Sequence, residues 1–253
     1  MFPTIHLWDH FSIHTFGILT AIGVLCAALL IRKHASQIGV SPNAVSDGIL
    51  ITVIAGFAGA RLFFVLQFWD HFHLYPLEII KIWEGGIVLY GGVIGAFIGF
   101  FIFCQLKRLP FVKVLDLFVP AVALAQGFGR IGCFLNGCCY GIRTTLPWGV
   151  HFYFTDQPVH PVQLYESAYC FLLAGFLFWL WRKRLAPGTV ALGYFILYPA
   201  GRFFVEFLRG DNPKLSLGLT LPQWISLGFI FSSAVLFVFR LMTHGSKRNS
   251  HSS

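Results

Sequence analysis

Charge is what this sequence has least of. Only 10 Asp and Glu and 18 Lys and Arg occur among 253 residues, so charged side chains make up 11% of the chain. Soluble domains carry roughly 25%, whereas hydrophobic residues here reach 57%. Too few polar side chains exist to cover a water-facing surface, so lipid has to solvate much of the chain. A basic stripe interleaved with stacking aromatics is also missing, and the net charge of +8 therefore does not point to nucleic acid. No lysine falls mid-way along an apolar run, which excludes a retinal Schiff base. Neither G-x-S-x-G nor H-E-x-x-H occurs, so the serine and zinc protease readings have no motif to stand on. Paired interrupted helices in two related halves, the mark of many transporters, are absent too.

Six cysteines (Cys26, Cys104, Cys133, Cys138, Cys139 and Cys170) are scattered and give no disulfide framework. The N-terminus lacks a basic n-region and a small-residue cleavage site, so the first apolar run reads as a retained span.

What is present is a series of apolar runs. A span needs about 20 mostly apolar residues, and seven segments qualify: 11–31, 48–68, 87–106, 114–135, 162–181, 189–208 and 221–239. The expected fold is therefore an all-α polytopic membrane protein, a seven-transmembrane-helix bundle, as one domain over 1–243 with a polar tail over 244–253. Eleven basic residues (Arg32, Lys33, Lys107, Arg108, Lys113, Arg182, Lys183, Arg184, Arg240, Lys247 and Arg248) collect on one side, and four (Lys81, Arg143, Arg209 and Lys214) on the other. The positive-inside rule then places the N-terminus outside and the C-terminus in the cytoplasm. The longest outer connection, 136–161, is rich in Gly, Pro and aromatics, which suits an interfacial belt or an arm over a lipid site.

Gly91, Gly95 and Gly99 recur every four residues, the spacing of close helix packing in lipid. Gly91 and Gly92 could also present backbone N–H groups to an anion.

Several charges sit where they are expensive. A charge at the bilayer centre costs about 2.5–3.5 kcal/mol on insertion scales, yet Arg61, Arg130, Arg202 and Glu206 lie inside spans, with Glu166 one turn into another. Tyr198, Arg202, Glu206 and Arg209 share one helical face. An ion pair of Arg202 with Glu206 would explain those two alone. Arg130 and Arg61 have no opposite charge at helical spacing on their own spans. In the expected topology Arg130, His160, Glu166, Arg202, Glu206 and Arg209 all lie toward the outer ends, and a surplus of arginine there implies an anionic ligand. The guanidinium fork suits a phosphate, and a phospholipid headgroup is the anion found at that depth.

Four segments, GRIGCFLNGCCYG (129–141), GGIVLYGGVIGA (85–96), HPVQLYES (160–167) and YPAGRFFVEFLRGD (198–211), together resemble the bacterial prolipoprotein diacylglyceryl transferase family, in order and over nearly the whole chain. The resemblance implies transfer of the diacylglyceryl group of phosphatidylglycerol to the lipobox cysteine thiol of a prolipoprotein signal peptide, with glycerol 1-phosphate leaving. It implies a multi-pass protein of the bacterial inner membrane, with no cofactor and no metal, and a monomer is expected. Arg130 and Arg202 fall on the family's essential pair, and Tyr198, Glu206, Arg209, Asn136 and Gly141 on other family positions. With Tyr90, Gly91, Gly92 and His160 they complete the candidate site. Tyr90, Arg130, Arg202 and Glu206 are the catalytic candidates. His160 is expected mainly to pin its loop. The chain departs from the family at Tyr90 (histidine in many members), Cys133 (asparagine), Cys138 (glutamate) and Phe16 (tyrosine). Which group takes the thiol proton stays open. The spacing C-x4-C-C of Cys133, Cys138 and Cys139 matches no ordinary zinc pattern, so these cysteines read as packing or polar substitution, with a disulfide in the oxidising outer loop as the open alternative. The rival to an enzyme is a lipid-binding or lipid-transporting membrane protein that uses the same arginines without chemistry.

Overall fold

In the computed structural model, residues 4–8, 11–82 and 85–249 are described, with side chains described over 14–82 and 85–239. His6, His10, Arg240, Lys247, Arg248 and the last part of the expected tail fall, in whole or for their side chains, outside those residues.

The chain opens with a short antiparallel hairpin, β1 (Thr4–Trp8) and β2 (Phe11–His14), in register Thr4↔His14 and Ile5↔Ile13. Phe11–His14 therefore corrects the expected all-α start: pairing with β1 holds this segment extended, and the first helix begins only at Thr15. The helices are α1 (Thr15–His34), α2 (Pro42–Gln67), α3 (Trp69–Phe72), α4 (Leu89–Leu106), α5 (Phe111–Asn136), α6 (Val162–Arg182), α7 (Thr189–Glu206) and α8 (Leu221–Asn249). Six of them, α1, α2, α4, α5, α6 and α8, are long and apolar enough to cross a membrane. The remaining expected span forms α7, 18 residues in length. Its arginine and glutamate keep it out of that apolar set. Side chains such as Leu25, Leu50, Phe57 and Phe231 stand exposed along these helices, as lipid-facing positions do.

Residues Leu30–Val114 form one compact unit, and Met1–Leu29 with Leu115–Ser253 the other. In the unit of Leu30–Val114, α2 and α4 meet through their glycines. A Cβ on Gly95 would stand 2.4 Å from the Ala55 carbonyl oxygen and 2.9 Å from the Gly59 Cα, and one on Gly91 only 2.5 Å from the Gly59 oxygen. The four-residue glycine spacing is thus a packing seam, as the sequence suggests. Gly95→Ala is expected to force the two backbones apart at a cost of about 1–3 kcal/mol. A melting temperature in detergent equal to that of the parent protein would contradict this.

The same unit explains Arg61. Its guanidinium donates to the carbonyl oxygens of Glu78 (2.6 Å), Gly85 (2.8 Å), Ile79 (2.9 Å), Gly86 (3.0 Å) and Lys81 (3.3 Å). It also lies over the rings of Phe64 and Phe72. This buried cation needs no carboxylate, because it spends its donors on the loop between α2 and α4. Gly85 and Gly86, at φ +89° and +75°, take the left-handed turns that aim those carbonyls at it.

In the other unit the core lies where α5 (Val119, Ala123), α6 (Leu173, Leu177) and α7 (Val190, Tyr194) meet. Asp116 of α5 accepts from the backbone N–H groups of Gly188 (2.5 Å) and Ala191 (2.8 Å), so a side chain from one helix caps the start of another. That contact fixes the start of α7 against α5.

Candidate functional site

Three helices bring the buried charges together. Arg130, in the last two turns of α5, places Nη2 2.9 Å from Oε1 of Glu166 on α6. Arg202 on α7 places Nη1 2.6 Å from Oε2 of Glu206, and its Nε lies 3.9 Å from the same Glu166 oxygen. Arg209, just beyond α7, lies 3.8 Å from Glu206 and bonds Asp211 through both arms of its fork, at 2.8 and 2.6 Å. The Glu166 and Glu206 side chains are 3% and 0% exposed, so neither meets bulk solvent. Tyr198 completes the cluster, half-buried within electrostatic reach of Glu166, Arg130 and Arg202 and stacked on Tyr194.

The local fold holds this geometry. The Tyr169 hydroxyl on α6 donates to the Leu197 carbonyl (2.5 Å) and accepts from the Gly201 N–H. These two groups are i and i+4 on α7, so the phenol is inserted in the helix ladder beside Pro199, which has no N–H of its own. A Cβ on Gly201 would sit 2.2 Å from the Tyr169 ring. Glycine is required there for the ring to reach, and Arg202 is the next residue. On the α5 side, Ser167 donates to the Gly127 carbonyl at 2.8 Å, one turn before Arg130.

Glu206 is a hub. Its Oε1 accepts from Thr220 Oγ1 (2.7 Å) and Asn212 Nδ2 (2.5 Å), while Oε2 faces Arg202 and Arg209. A carboxylate so engaged orients two guanidiniums.

The surplus of arginine that the sequence suggests is not what the structure brings together: three guanidiniums meet three carboxylates, because Asp211 joins Glu166 and Glu206 in the cluster. The guanidiniums are nevertheless held in place and away from water. Glu166 Oε1, Arg202 Nη1 and Glu206 Oε2 are buried and make no aligned hydrogen bond despite their ion pairing. An oxyanion entering beside Arg130 and Arg202 would find donors already fixed and dry.

The remaining candidates separate into groups. Gly141 is wedged: its N–H donates to the His160 carbonyl (3.0 Å), and a Cβ would stand 2.6 Å from the His160 Cβ. Ile142 bonds the Leu208 carbonyl at 2.8 Å, so this strand of loop ties His160 to the Arg209 turn. His160 contacts the Tyr165 hydroxyl at 3.3 Å, which in turn accepts from Trp148 at 2.8 Å. Asn136 is exposed at the end of α5, beside Cys138. Cys133, Cys138 and Cys139 converge next to Arg130. Hydrogen bonding with the Cys133 and Cys138 thiols, and then the charges of Arg209 and Arg130, hold the Cys139 thiol below its ordinary value against the opposing effect of burial. Tyr90, Gly91 and Gly92 lie at the start of α4 in the unit of Leu30–Val114, with Tyr90 exposed and Gly91 packed on Gly59.

Sequence reasoning missed Asp211, Asn212, Thr220 and Gln163, and it did not pair Arg130 with Glu166. Only the i, i+4 pair on one helix had a signal in the chain. The others join residues 14 to 36 positions apart or sit in polar turns of no fixed period.

Comparison with known proteins agrees with the motifs. The family model of prolipoprotein diacylglyceryl transferase matches residues 3–239. The chain is similar to the phosphatidylglycerol–prolipoprotein diacylglyceryl transferase of Clostridium tetani, 41% identical over 237 residues that cover 91% of this chain and 93% of the relative. It is similar to enzyme 2 of that name from Clostridium perfringens, 37% identical over 233 residues (89% and 90% covered). The Fervidobacterium nodosum protein of the same name is 36% identical over 250 residues, covering 94% and 85%.

Proposed function

This chain belongs to the prolipoprotein diacylglyceryl transferase family, and from that premise we propose how its arginine cluster performs the transfer. It is a multi-pass membrane enzyme that moves the diacylglyceryl group of phosphatidylglycerol onto prolipoprotein. In our reading the acceptor is the lipobox cysteine thiol and the leaving group is glycerol 1-phosphate. The thiol gives up its proton, its sulfur attacks the glyceryl carbon, the C–O bond to phosphate breaks, and the phosphate keeps the electron pair and takes up one proton in exchange or leaves it to solvent. A thioether forms.

The step concentrates negative charge on the departing phosphate, and fixed donors in a dry site stabilise that charge most. Arg130 and Arg202 are the donors we assign, with Tyr198 and Asn136 at the headgroup. Arg209 spends its fork on Asp211, so we give it the second place, as a charge that holds Glu206. Glu206 orients Arg202 and Arg209 and does not act as the base, because Asn212 and Thr220 occupy its other oxygen. The observation that carries the reading is the buried Arg130–Glu166–Arg202–Glu206 cluster, which fixes two guanidiniums on one carboxylate away from bulk solvent.

We further propose seven crossings, α7 being the polar one that lines the site, with the N-terminus outside and the C-terminus cytoplasmic. The charge distribution over the loops supports this orientation. The membrane is the bacterial inner membrane, and the working unit is a monomer.

The test uses purified protein, phosphatidylglycerol vesicles and a lipobox peptide, read by the mass of a thioether-linked diacylglyceryl peptide. Lipid binding without product would instead support a non-catalytic lipid-binding protein. The Tyr90 hydroxyl is assigned as a hydrogen-bonding group of the reaction, and Tyr90→Phe is expected to lower turnover about tenfold, the worth of one hydrogen bond. Unchanged turnover would make Tyr90 a packing residue.

A further inference from the structure

The three cysteines at the end of α5 are used by nothing in the transfer as described. Their Sγ atoms all lie within 4.8 Å of one another. Cys138 and Cys139 are already at 3.6 Å, and the Cys138 thiol faces the Cys133 carbonyl at 3.7 Å. All three are free thiols, partly buried.

Their convergence is built by the backbone. The chain reverses at Gly137, with φ +77°, and the Cys138 N–H returns to the Cys133 carbonyl at 3.2 Å. Cys139 itself takes φ +64°, a left-handed conformation that side chains other than glycine and asparagine rarely adopt. Without that turn the third thiol would not face the other two. Gln163, 1% exposed, donates to the Cys138 carbonyl at 2.7 Å and fixes the turn from α6. The other atom of the same amide, Oε1, is buried and has no hydrogen-bond partner.

We propose that Cys133, Cys138 and Cys139 bind one thiophilic divalent cation of the Zn2+ class, as three thiolates with a fourth position left open. Zinc–sulfur bonds of about 2.3 Å place the sulfurs of a tetrahedral site roughly 3.8 Å apart. One pair is within a few tenths of an ångström of that already, and small side-chain rotations close the rest. A disulfide would use two of the three thiols and give no reason for the third. The charges agree as well. Arg130 acts on Cys133 and Cys139, and Arg209 on Cys139. Neutral ligands would set a cation against those guanidiniums. Three thiolates and a divalent ion together are an anion, which the guanidiniums stabilise. The C-x4-C-C spacing is unlike ordinary zinc patterns because those rely on a turn between paired cysteines, whereas here the end of α5 and a left-handed residue make the approach. Three protein ligands leave room for one more, and a soft ion of this kind favours a thiolate there.

The experiment needs no substitution at first. The full-length protein, purified in detergent under reducing conditions without chelator, is expected to retain about one equivalent of zinc by elemental analysis. After chelation and reloading with Co2+, thiolate-to-cobalt charge-transfer bands and the visible bands of tetrahedral Co2+ are expected. A small thiol added to the cobalt form should shift them. Cys133→Ser, Cys138→Ser and Cys139→Ser should each abolish the bands, and near-native melting of any one of them shows that the loss is not unfolding. Metal content no higher than in the triple serine variant would overturn the proposal. So would thiol mapping that finds two of the three joined as a disulfide in the anaerobically prepared protein. A spectrum unmoved by added thiol would overturn the open fourth position.

Discussion

Arg202→Ala is expected to lower diacylglyceryl transfer by at least about 10²-fold while the bundle stays folded. The fold survives because Glu206, the partner left behind, keeps other company. Its Oε1 still accepts from Thr220 and Asn212, and Arg209 still stands 3.8 Å from Oε2. What disappears is the guanidinium that faces both Glu166 and Glu206 and carries a buried donor without an aligned hydrogen bond. Arg130 requires a different substitution. Among the described residues, removing it leaves the buried Glu166 carboxylate with a single ion pair, the 3.9 Å contact to Arg202, and an uncompensated buried carboxylate costs about 3–5 kcal/mol. Arg130→Lys keeps the charge beside Glu166 and loses the planar fork, so it should fold and still lose most activity. Turnover measured with phosphatidylglycerol vesicles and a lipobox peptide, beside a melting curve for each variant, separates the two effects. Near-parental turnover in Arg202→Ala or Arg130→Lys would remove the phosphate clamp from the mechanism.

Glu206→Ala is expected to have the largest effect on stability. It strips Arg202 and Arg209 of their shared carboxylate and leaves Thr220 and Asn212 without an acceptor, all in a pocket where the Glu206 side chain is 0% exposed. Breaking a buried pair in this way costs about 3–5 kcal/mol, a large part of the stability of most domains. The variant should accumulate poorly and elute as aggregate. Glu206→Gln is the informative partner. It keeps an oxygen for Thr220 and Asn212 and loses only the charge, so it should fold with a lowered melting temperature. Its transfer rate should fall as Arg202 loses its orientation. If Glu206→Ala melts like the parent protein, the carboxylate is not the hub that its contacts indicate.

Much of this was legible in the chain. Seven apolar runs announced the helices, and the glycines four residues apart on α4 announced the seam with α2, because packing in lipid has a short-range signature. The Arg202–Glu206 pair was legible for the same reason: i and i+4 on a helix are neighbours whatever the tertiary structure. Six of the spans form long apolar helices, and the polar run 189–208 forms α7. Arg61 and Arg130 show where such reasoning stops. They looked equally anomalous in sequence. The fold gives Arg61 five loop carbonyls and Arg130 a carboxylate on another helix.

The sequence alone therefore determined that this protein lives in lipid, that it holds arginines at depth, and through its motifs which reaction it belongs to. Hydrophobic length, helical period and residue chemistry are local quantities, and local quantities can be read from a string. Only the tertiary structure decided which charges neutralise one another, that Tyr169 enters the α7 ladder beside Arg202, and that three unremarkably spaced cysteines meet. Those outcomes depend on how helices far apart in sequence cross and on single residues such as Cys139 turning left-handed, and no periodicity along the chain encodes either.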